Sequence, residues 1–498
     1  MTNGPLVLGP LVLGDHPLRY DEVVAVTHGR RVVLGEAAYA RMKASRAILD
    51  ELLARGDTVY GLTTGVGAIK TVRIGADRQQ AFQTLLLRAH RVGHGELAAP
   101  QFVRAAMLVR AAGLAVGVAG VRPQVADAFC RALDARITPR VHQIGSVGQA
   151  DLSQLAEIGL ALIGHGDDGA ALAASGYQPI ALGPREAHAI VNGNAFSVGI
   201  ACLALHSATR ALRALDVSAA ASIEALTANV DMLHPAVAAV RPHIGAAETI
   251  DRLRALLRGG ALLTGGRPAR AIQDPLAFKV IPQTHGGALQ ALSHLEETLT
   301  VELASSGDSP IVLADEDRAI STGNHDITPV AIAIDYARLG LAQAITIAGE
   351  RVQKLLDSAF TGLATGLRAD PDAPDDGLAV VGNGAASLAA EARLLAHPVT
   401  LEQPTSGIAA GIEDRITMAP TGARRLHEMA GLATRLAAVE LTCAAQAIDL
   451  RGTASELGDG TTHAYTATRR SIAFTGAGEA CDGHLDQLER WLASDDSP

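Results

Sequence analysis

The sequence predicts an all-α fold, in which a long helical bundle carries a smaller mixed part near the N-terminus. The chain has 498 residues and is 48% hydrophobic, which is enough to bury a large core. Only 3% of its residues are aromatic, and a core dominated by Ala and Leu is built more readily from helices than from sheet. Apolar residues recur at helical spacing over several long stretches, so these helices must cover one another.

The N-terminal domain is predicted to span residues 1–195. It begins with a short strand-like pattern at 23–34 and continues with a helix at 36–55. A glycine-rich loop follows at 60–67, because three glycines there break any helical pattern. Further helical periodicity then covers four stretches, 77–93, 101–133, 152–162 and 184–191.

The second domain, residues 196–498, is predicted to hold the long central helices. The longest helical patterns run over 195–233 and 326–355. Shorter ones cover 289–305, 385–396 and 422–447, separated by a Gly- and Arg-rich loop at 258–275 and an acidic linker at 368–376. Helices of this length and apolarity predict a bundle with extensive contacts between subunits.

Composition argues against several classes of partner. The net charge is −10 and no run of Lys or Arg occurs, so we expect no nucleic acid partner. The four cysteines are far apart and form no Cys-x-x-Cys, which favours reduced thiols in the cytoplasm over a zinc site or disulfides. No uncharged apolar run of about 18 residues is evident, so we expect no membrane span.

Taken singly, the local signals for chemistry are weak. Residues 145–152, Gly-Ser-Val-Gly-Gln-Ala-Asp-Leu, contain what is usually only a tight turn. Tyr60 in its glycine-rich loop fits a packing or lid residue as well as a base. His90 and His94 have the spacing of a metal pair, but Gly93 lies between them and no third ligand is evident, so we expect no metal.

Taken together and in order, the motifs resemble those of the histidine and aromatic amino acid ammonia-lyases. The resemblance extends from about residue 23 to 418. The matching positions are Tyr60 with its glycines, Gln83, Arg88, His90, Asn192 and Gly193, Gln273 and Asp274, Asp308 and Pro310, Gly323 and Asn324, Glu350 and Arg351, His397 and Pro398, and Glu413 and Asp414.

The departures from the family pattern concentrate at its active site. In the family, Ala-Ser-Gly lies between Gly-Ser-Val-Gly and Asp-Leu and cyclises into an electrophilic methylidene-imidazolone. Here only Gln149 and Ala150 occupy that gap, with no serine to dehydrate, so we expect no prosthetic group and no other cofactor. Leu276 stands where the family has tyrosine, Lys279 where it has arginine, and His325 where it has phenylalanine.

The resemblance implies a role for each site residue. Tyr60 and Glu413 are the expected catalytic residues, Tyr60 as the base that removes the β-proton. In the family, a histidine at the position of His90 and a glutamate at the position of Glu413 occur in members that act on imidazole-type substrates. The remaining residues are expected to bind substrate, Asn192 and Lys279 at its carboxylate and Leu276 as apolar space, together with Gln273, Asn324 and His325.

A scaffold without the electrophile needs a substrate with a better leaving group. A quaternary ammonium leaves as neutral trimethylamine and needs no protonation. Ergothionases, which resemble this family but lack its prosthetic group, expel trimethylamine from ergothioneine to give thiourocanate, and this chain resembles them in that respect. The predicted function is therefore a carbon–nitrogen lyase that acts on a histidine-like betaine.

Three alternatives remain open. The first is a lyase acting on another imidazole-like amino acid derivative, and the second is a non-catalytic structural or regulatory homologue. The third, an ordinary histidine ammonia-lyase whose electrophile comes from other residues, has the least support. The resemblance also implies a small-molecule substrate and a homotetramer of dihedral symmetry, in which Tyr60, Lys279 and Glu413 come from different chains.

Overall fold

The computed structural model describes residues 9–402, 408–481 and 485–498. The chain is predominantly α-helical, which confirms the predicted fold class. Strands pair two by two, β1 (Leu11–Leu13) parallel to β2 (Val32–Leu34). The antiparallel pairs are β3 (His94–Leu97) with β4 (His142–Ile144) and β5 (Ile311–Leu313) with β6 (Arg318–Ile320).

The helices of the described residues include four of more than twenty residues. In chain order they are α1 (Tyr20–Thr27), α2 (Glu36–Arg55), α3 (Gln79–His90), α4 (Pro100–Ala115), α5 (Pro123–Asp134), α6 (Leu152–Leu162), α7 (Gly166–Ala174), α8 (Glu186–Val191), α9 (Ala195–Leu226), α10 (Pro235–Val240), α11 (Ile244–Leu256), α12 (Ala261–Thr264), α13 (Leu276–Lys279), α14 (Ile281–Leu303), α15 (Thr328–Leu356), α16 (Ser358–Thr361), α17 (Val381–Leu395), α18 (Ala419–Arg451), α19 (Asp459–Ser471) and α20 (Leu485–Leu492).

The chain forms two compact units, each assembled from three segments. The first unit comprises Met1–His206, Leu295–Ile334 and Pro398–Arg424. The second comprises Ser207–His294, Asp335–His397 and Arg425–Pro498. The boundary that we predict after residue 195 stays a prediction.

In the first unit, a hydrophobic cluster anchors the glycine-rich loop. Helix α2 ends at Gly56, whose φ of 77° is a left-handed conformation that glycine adopts without steric cost. Leu49 and Leu52 of α2 then pack with Val59 and Leu62, and all four are almost completely buried. Burying each such side chain contributes roughly 1.5–3 kcal/mol, so the residues that flank Tyr60 are held firmly.

The prediction of a strand over residues 23–34 is wrong for its first half. Residues 20–27 form helix α1, and only Val32–Leu34 is a strand. The Arg19 backbone N–H donates to the Glu22 carboxylate at 3.2 Å, which caps the helix start and outweighs the strand preference of the valines. The helical pattern over 101–133 likewise divides into α4 and α5, the second of which begins at Pro123.

In the second unit, a buried ion pair is fully hydrogen-bonded. The two carboxylate oxygens of Glu440 accept from Arg351 Nε at 2.6 Å and from its second terminal nitrogen at 3.0 Å. Ser218 and Ser222 each donate a further hydrogen bond of 2.7 Å to the same carboxylate. Because every charge is matched, the pair is compatible with the apolar core around it.

Two helical stretches are long and apolar enough to cross a membrane, judged by length and composition alone, which corrects the expectation that no such segment exists. They are Glu186–Leu226 and Thr328–Leu356. The most apolar window of the first is wholly buried within the chain and that of the second is 61% buried. The core helix of a soluble protein passes the same test, so the feature is weak evidence for a membrane.

Replacing Glu224 with Gln is expected to stabilise the second unit at alkaline pH. Its Oε1 accepts the Gly458 N–H at 3.0 Å, and burial raises the pKa of the carboxyl to about 7. Between the ordinary value of 4.5 and 7, the folded state holds a proton that the unfolded state releases, so stability falls as pH rises through this window. The thermal midpoint of Glu224→Gln should therefore exceed that of the wild type at pH 8 and match it near pH 5.

The control is Glu297→Gln, which changes an exposed glutamate of α14 and should leave the thermal midpoint unchanged at either pH. An equal shift of the Glu224→Gln midpoint at pH 5 and pH 8 would contradict the titration argument.

Candidate functional site

Tyr60 lies in a loop that folds back, so that a later residue of the loop hydrogen-bonds the Tyr60 hydroxyl group. The Gly67 backbone N–H donates to the Tyr60 phenol oxygen at 2.8 Å. Gly67 has a φ of 57°, a conformation that suits glycine and directs its N–H inward. A backbone donor at this oxygen stabilises negative charge there, which a tyrosine acting as a base must carry.

Two buried residues beside Tyr60, Arg185 and His188, were not singled out from the sequence. The rings of Tyr60 and His188 meet edge to face, with centroids 5.5 Å apart and an interplanar angle of 80°. Arg185 donates to His188 Nδ1 at 3.0 Å. The only sequence signal was spacing, because His188 precedes Asn192 by one helical turn.

Other groups of the site surround His188. Burial first, and then the charges of Arg185, His90, Arg110 and His325, lower the pKa of His188 well below its ordinary value. His90 donates from Nδ1 to the Leu86 carbonyl at 2.8 Å. Tyr60 therefore contacts an unpredicted histidine, and the predicted residues His90 and His325 act on the charge of that histidine.

Glu413 lies beside the tyrosine loop of its own chain. A Cβ added at Gly67 would lie 4.0 Å from Glu413 Oε1 and 3.6 Å from the Ala409 Cβ. This proximity corrects the expectation that Tyr60 and Glu413 come from different chains. The physical reason is that the short helical turns at Gly67–Ile69 and Ile408–Gly411 pack against each other within one unit.

The shortened loop is held at both ends by ordinary hydrogen bonds. Thr417 Oγ1 donates to the Gly148 carbonyl at 2.9 Å, and the Asp151 N–H donates to the Gly193 carbonyl at 2.8 Å. Between them the Gln149 side chain donates to Asp326 at 3.4 Å. Ala150 is buried with a φ of 65°, and its N–H donates to Asn194 Oδ1 at 3.0 Å.

The residues of this loop do not fit the family's prosthetic group. Ring formation requires a serine and a following glycine amide, whereas the gap holds Gln149 and Ala150 alone. The one backbone N–H at the centre of the gap, that of Ala150, is already bound to Asn194. The loop therefore offers no prosthetic group through which the chain could act.

The intact protein is expected to have the mass calculated from its sequence. Cyclisation of the family's triad releases two water molecules, and this loop has no residues that can release them. Intact-mass spectrometry, with a triad-containing histidine ammonia-lyase measured alongside, tests this directly. A deficit of two waters that maps to residues 145–152 would show that the loop cyclises after all.

The asparagines near the loop differ in their exposure. Asn192 is buried, and its side-chain amide donates to the Ser309 carbonyl at 2.9 Å. Asn194 donates to the His325 carbonyl at 2.5 Å and so connects the short loop to the residue that replaces phenylalanine. Asn324 is exposed, and its backbone N–H donates to Thr322 Oγ1 at 3.3 Å.

The second unit contains the remaining predicted residues, grouped on and before the short helix α13. Lys279 Nζ donates to Gln273 Oε1 at 2.7 Å, and both side chains are exposed. Leu276 is 66% exposed on the same helix. The ammonium group of Lys279 therefore has hydrogen-bonding capacity left for an anionic ligand.

These features define the class of the protein: an all-α fold with a tyrosine loop, a nearby carboxylate and a degenerate prosthetic-group loop. The family model described as aromatic amino acid lyase matches residues 18–470. The histidine ammonia-lyase of Symbiobacterium thermophilum is 35% identical over 473 residues, which cover 93% of this chain and 92% of that protein. The histidine ammonia-lyase of Treponema denticola is 32% identical, with 93% of each protein covered.

Solved structures agree with this assignment. Ergothionase from Treponema denticola, in complex with desmethyl-ergothioneine sulfonic acid, superposes with a TM-score of 0.91 at 27% identity and covers 97% of this chain and 98% of that one. Histidine ammonia-lyase from Trypanosoma cruzi gives a TM-score of 0.89 at 26% identity, covering 98% and 94%. The chain belongs to the aromatic amino acid lyase family.

Proposed function

We propose that this lyase-family protein eliminates a tertiary amine, trimethylamine in the leading case, from a histidine-like betaine such as ergothioneine. The observation that carries the proposal is the combination of a lost electrophile with a retained base loop. Gln149 and Ala150 replace the residues that form the prosthetic group, while Tyr60 is retained and Glu413 lies beside Gly67 of the tyrosine loop. The likeness to the ergothionase structure supports the same conclusion.

The reaction balances without a cofactor. Tyr60, acting as the base, removes a proton from the β-carbon, and the electron pair of that C–H bond forms the carbon–carbon double bond. The α-carbon–nitrogen bond breaks, and its electrons leave with the amine. A quaternary ammonium departs as a neutral molecule, so no acid is needed to assist it. The product is a conjugated acrylate, thiourocanate when the substrate is ergothioneine.

Each neighbouring side chain has a part in this scheme. The Gly67 N–H stabilises charge on the Tyr60 oxygen, and the Glu413 carboxylate accepts an N–H from the substrate ring. The Asn192 side-chain amide holds the Ser309 carbonyl by a hydrogen bond. Asn192 also contributes to binding of the substrate carboxylate. In the proposed tetramer, Lys279 of another subunit supplies a point charge for that carboxylate, without the paired donors that an arginine offers.

We also propose that the protein works as a homotetramer in the cytoplasm. Helix α15 exposes Ile332, Tyr336 and Leu339 at helical spacing, by 53%, 42% and 45%. An apolar stripe of this kind on a long helix is typical of a surface covered by another subunit. All four cysteines are free thiols, which suits a reducing compartment. Sedimentation velocity tests the assembly, and a stable, active monomer would contradict it.

A screen of betaines tests the proposed reaction. Purified protein is incubated with ergothioneine, with N,N,N-trimethylhistidine and with histidine, and the absorbance of a conjugated acrylate is followed. We expect a rise with ergothioneine or the trimethyl betaine and none with histidine. Preference for the primary amine would overturn the leaving-group argument and favour an ordinary ammonia-lyase, the activity named for the relatives.

Restoring the family's tyrosine at Leu276 is expected to raise KM for a trimethylated substrate. Leu276→Tyr adds bulk and a hydroxyl group where a methylated cation, which donates no hydrogen bond, needs apolar space. Steady-state kinetics should show the change mainly in KM. Val280→Tyr, placed at the end of the same short helix, serves as the bulk control. A lower KM in Leu276→Tyr would show that this side chain does not border the ammonium group.

A further inference from the structure

His188 has a hydrogen-bonding edge that the proposed mechanism does not use. The ring is buried in the middle of the short helix α8 of the first unit, and its other edge is already hydrogen-bonded. Nδ1 accepts from Arg185 at 3.0 Å, and a Cβ added at Gly61 would approach Nδ1 to 2.6 Å. The glycine at position 61 therefore makes room for this ring.

Arg185 determines which nitrogen of His188 carries the proton. Its guanidinium is completely buried and donates to the Ala119 carbonyl at 2.9 Å and the Pro310 carbonyl at 2.7 Å as well as to His188. Burial lowers the pKa of Arg185 to about 10, so it is still charged at neutral pH. A guanidinium has donors only, so His188 Nδ1 must present its lone pair and Nε2 must carry the hydrogen.

Among the described residues, no side chain or carbonyl accepts the hydrogen of His188 Nε2. His325, whose charge acts on the pKa of His188, has an enclosed Nδ1 without a hydrogen-bond partner among the described residues. A buried polar group left unpaired costs about 1–3 kcal/mol. His325 Nδ1 bears this cost, whereas His188 Nε2 is not one of the enclosed polar atoms and so is open to a ligand that accepts its hydrogen.

We propose that His188 is a specificity-determining residue whose Nε2–H donates a hydrogen bond to an acceptor atom of the substrate ring. This inference rests on the proposed function. The ring is attached to the β-carbon that Tyr60 deprotonates, so a group in contact with Tyr60 is placed to meet it. Glu413 accepts an N–H, and His188 supplies the complementary donor. The substrate class is thus a five-membered ring with one N–H donor and one acceptor, either a ring nitrogen or a thione sulfur.

A neutral donor suits this position for a chemical reason. When the β-proton leaves, negative charge spreads into the ring and onto its acceptor atom. A neutral N–H held in place by Arg185 stabilises that charge without reorganisation. It also leaves Tyr60 as the one group that takes the substrate proton.

Two variants distinguish the loss of the Nε2–H donor from the loss of the hydrogen bond with Arg185. In His188→Asn the side-chain oxygen can still accept from Arg185, but no N–H reaches the position of Nε2. In His188→Gln the longer side chain carries its amide to that position. We expect kcat/KM with ergothioneine to fall by about 100-fold or more in His188→Asn and by about tenfold or less in His188→Gln. His94→Asn, an exposed histidine of β3, is the control and should have wild-type kinetics.

A binding measurement keeps this test separate from the proposed reaction. Calorimetry with imidazole propionate, a ring and carboxylate without a leaving group, should show weaker binding to His188→Asn than to His188→Gln. If no betaine is turned over but this order of affinity holds, the proposed reaction fails and the role of His188 stands. Equal losses in the two variants, in kinetics and in binding, would overturn the role, because they indicate only a structural contact with Arg185.

Discussion

Tyr60→Phe is expected to lower kcat by about 10²- to 10⁴-fold, with little change in substrate affinity. The substitution keeps the ring that packs edge to face on His188 and removes only the hydroxyl group. That hydroxyl accepts the Gly67 N–H, so the wild-type structure already holds a donor that favours charge on the oxygen. Single-turnover kinetics with the best betaine of the screen would measure the effect on the chemical step.

The matched control is Tyr39→Phe, which removes the hydroxyl group of a tyrosine that is 44% exposed on α2. Its rate should equal that of the wild type. If Tyr60→Phe also turned over at a normal rate, Tyr60 would be a packing residue and the mechanism would lose its base, although the family assignment would stand.

Glu413→Gln is expected to produce a comparably large loss of turnover, on the order of 10²-fold or more. A glutamine has nearly the same shape as glutamate but neither takes up a proton nor balances positive charge on the ring. Because Glu413 Oε1 lies close to the position of Gly67, the loss of charge should act beside the proposed base as well as on the substrate. The kcat and kcat/KM of the variant should both fall.

Asp414→Asn is the control for Glu413→Gln, since it neutralises the neighbouring, exposed carboxylate. It should leave kinetics unchanged. A fall in KM without a fall in kcat in the glutamine variant would instead show that Glu413 destabilises bound substrate, contrary to the assigned role.

Helix positions followed from the sequence wherever local signals agreed with the pattern. The predicted bounds of α2 and α6 match the structure, because both helices show clear apolar periodicity. Periodicity failed at α1, where neighbouring valines resemble a strand and the cap supplied by Glu22 decides the outcome. Propensity is a weak signal over such a short segment, and tertiary packing overrides it.

The order of the motifs along the sequence predicts which residues belong to the candidate site. It does not predict the contacts that these residues make inside the site. Tyr60, His90 and Asn192 were recognised because each lies in a motif. Arg185 and His188 belong to no motif that we recognised, and a buried histidine on a short apolar helix is usually a core residue. Their importance became visible only when the fold placed them against Tyr60.

The short loop between Gly148 and Asp151 also constrains protein engineering. Its two ends are tied to Thr417 and Gly193, and the two residues between them fill the span. Point substitutions cannot install a three-residue cassette in a two-residue gap. A designer who wished to install the family's electrophile in this chain would have to insert a residue and reshape the flanking anchors. The proposed amine elimination and the electrophile-dependent chemistry are thus separated by chain length, a barrier that gradual side-chain change does not cross.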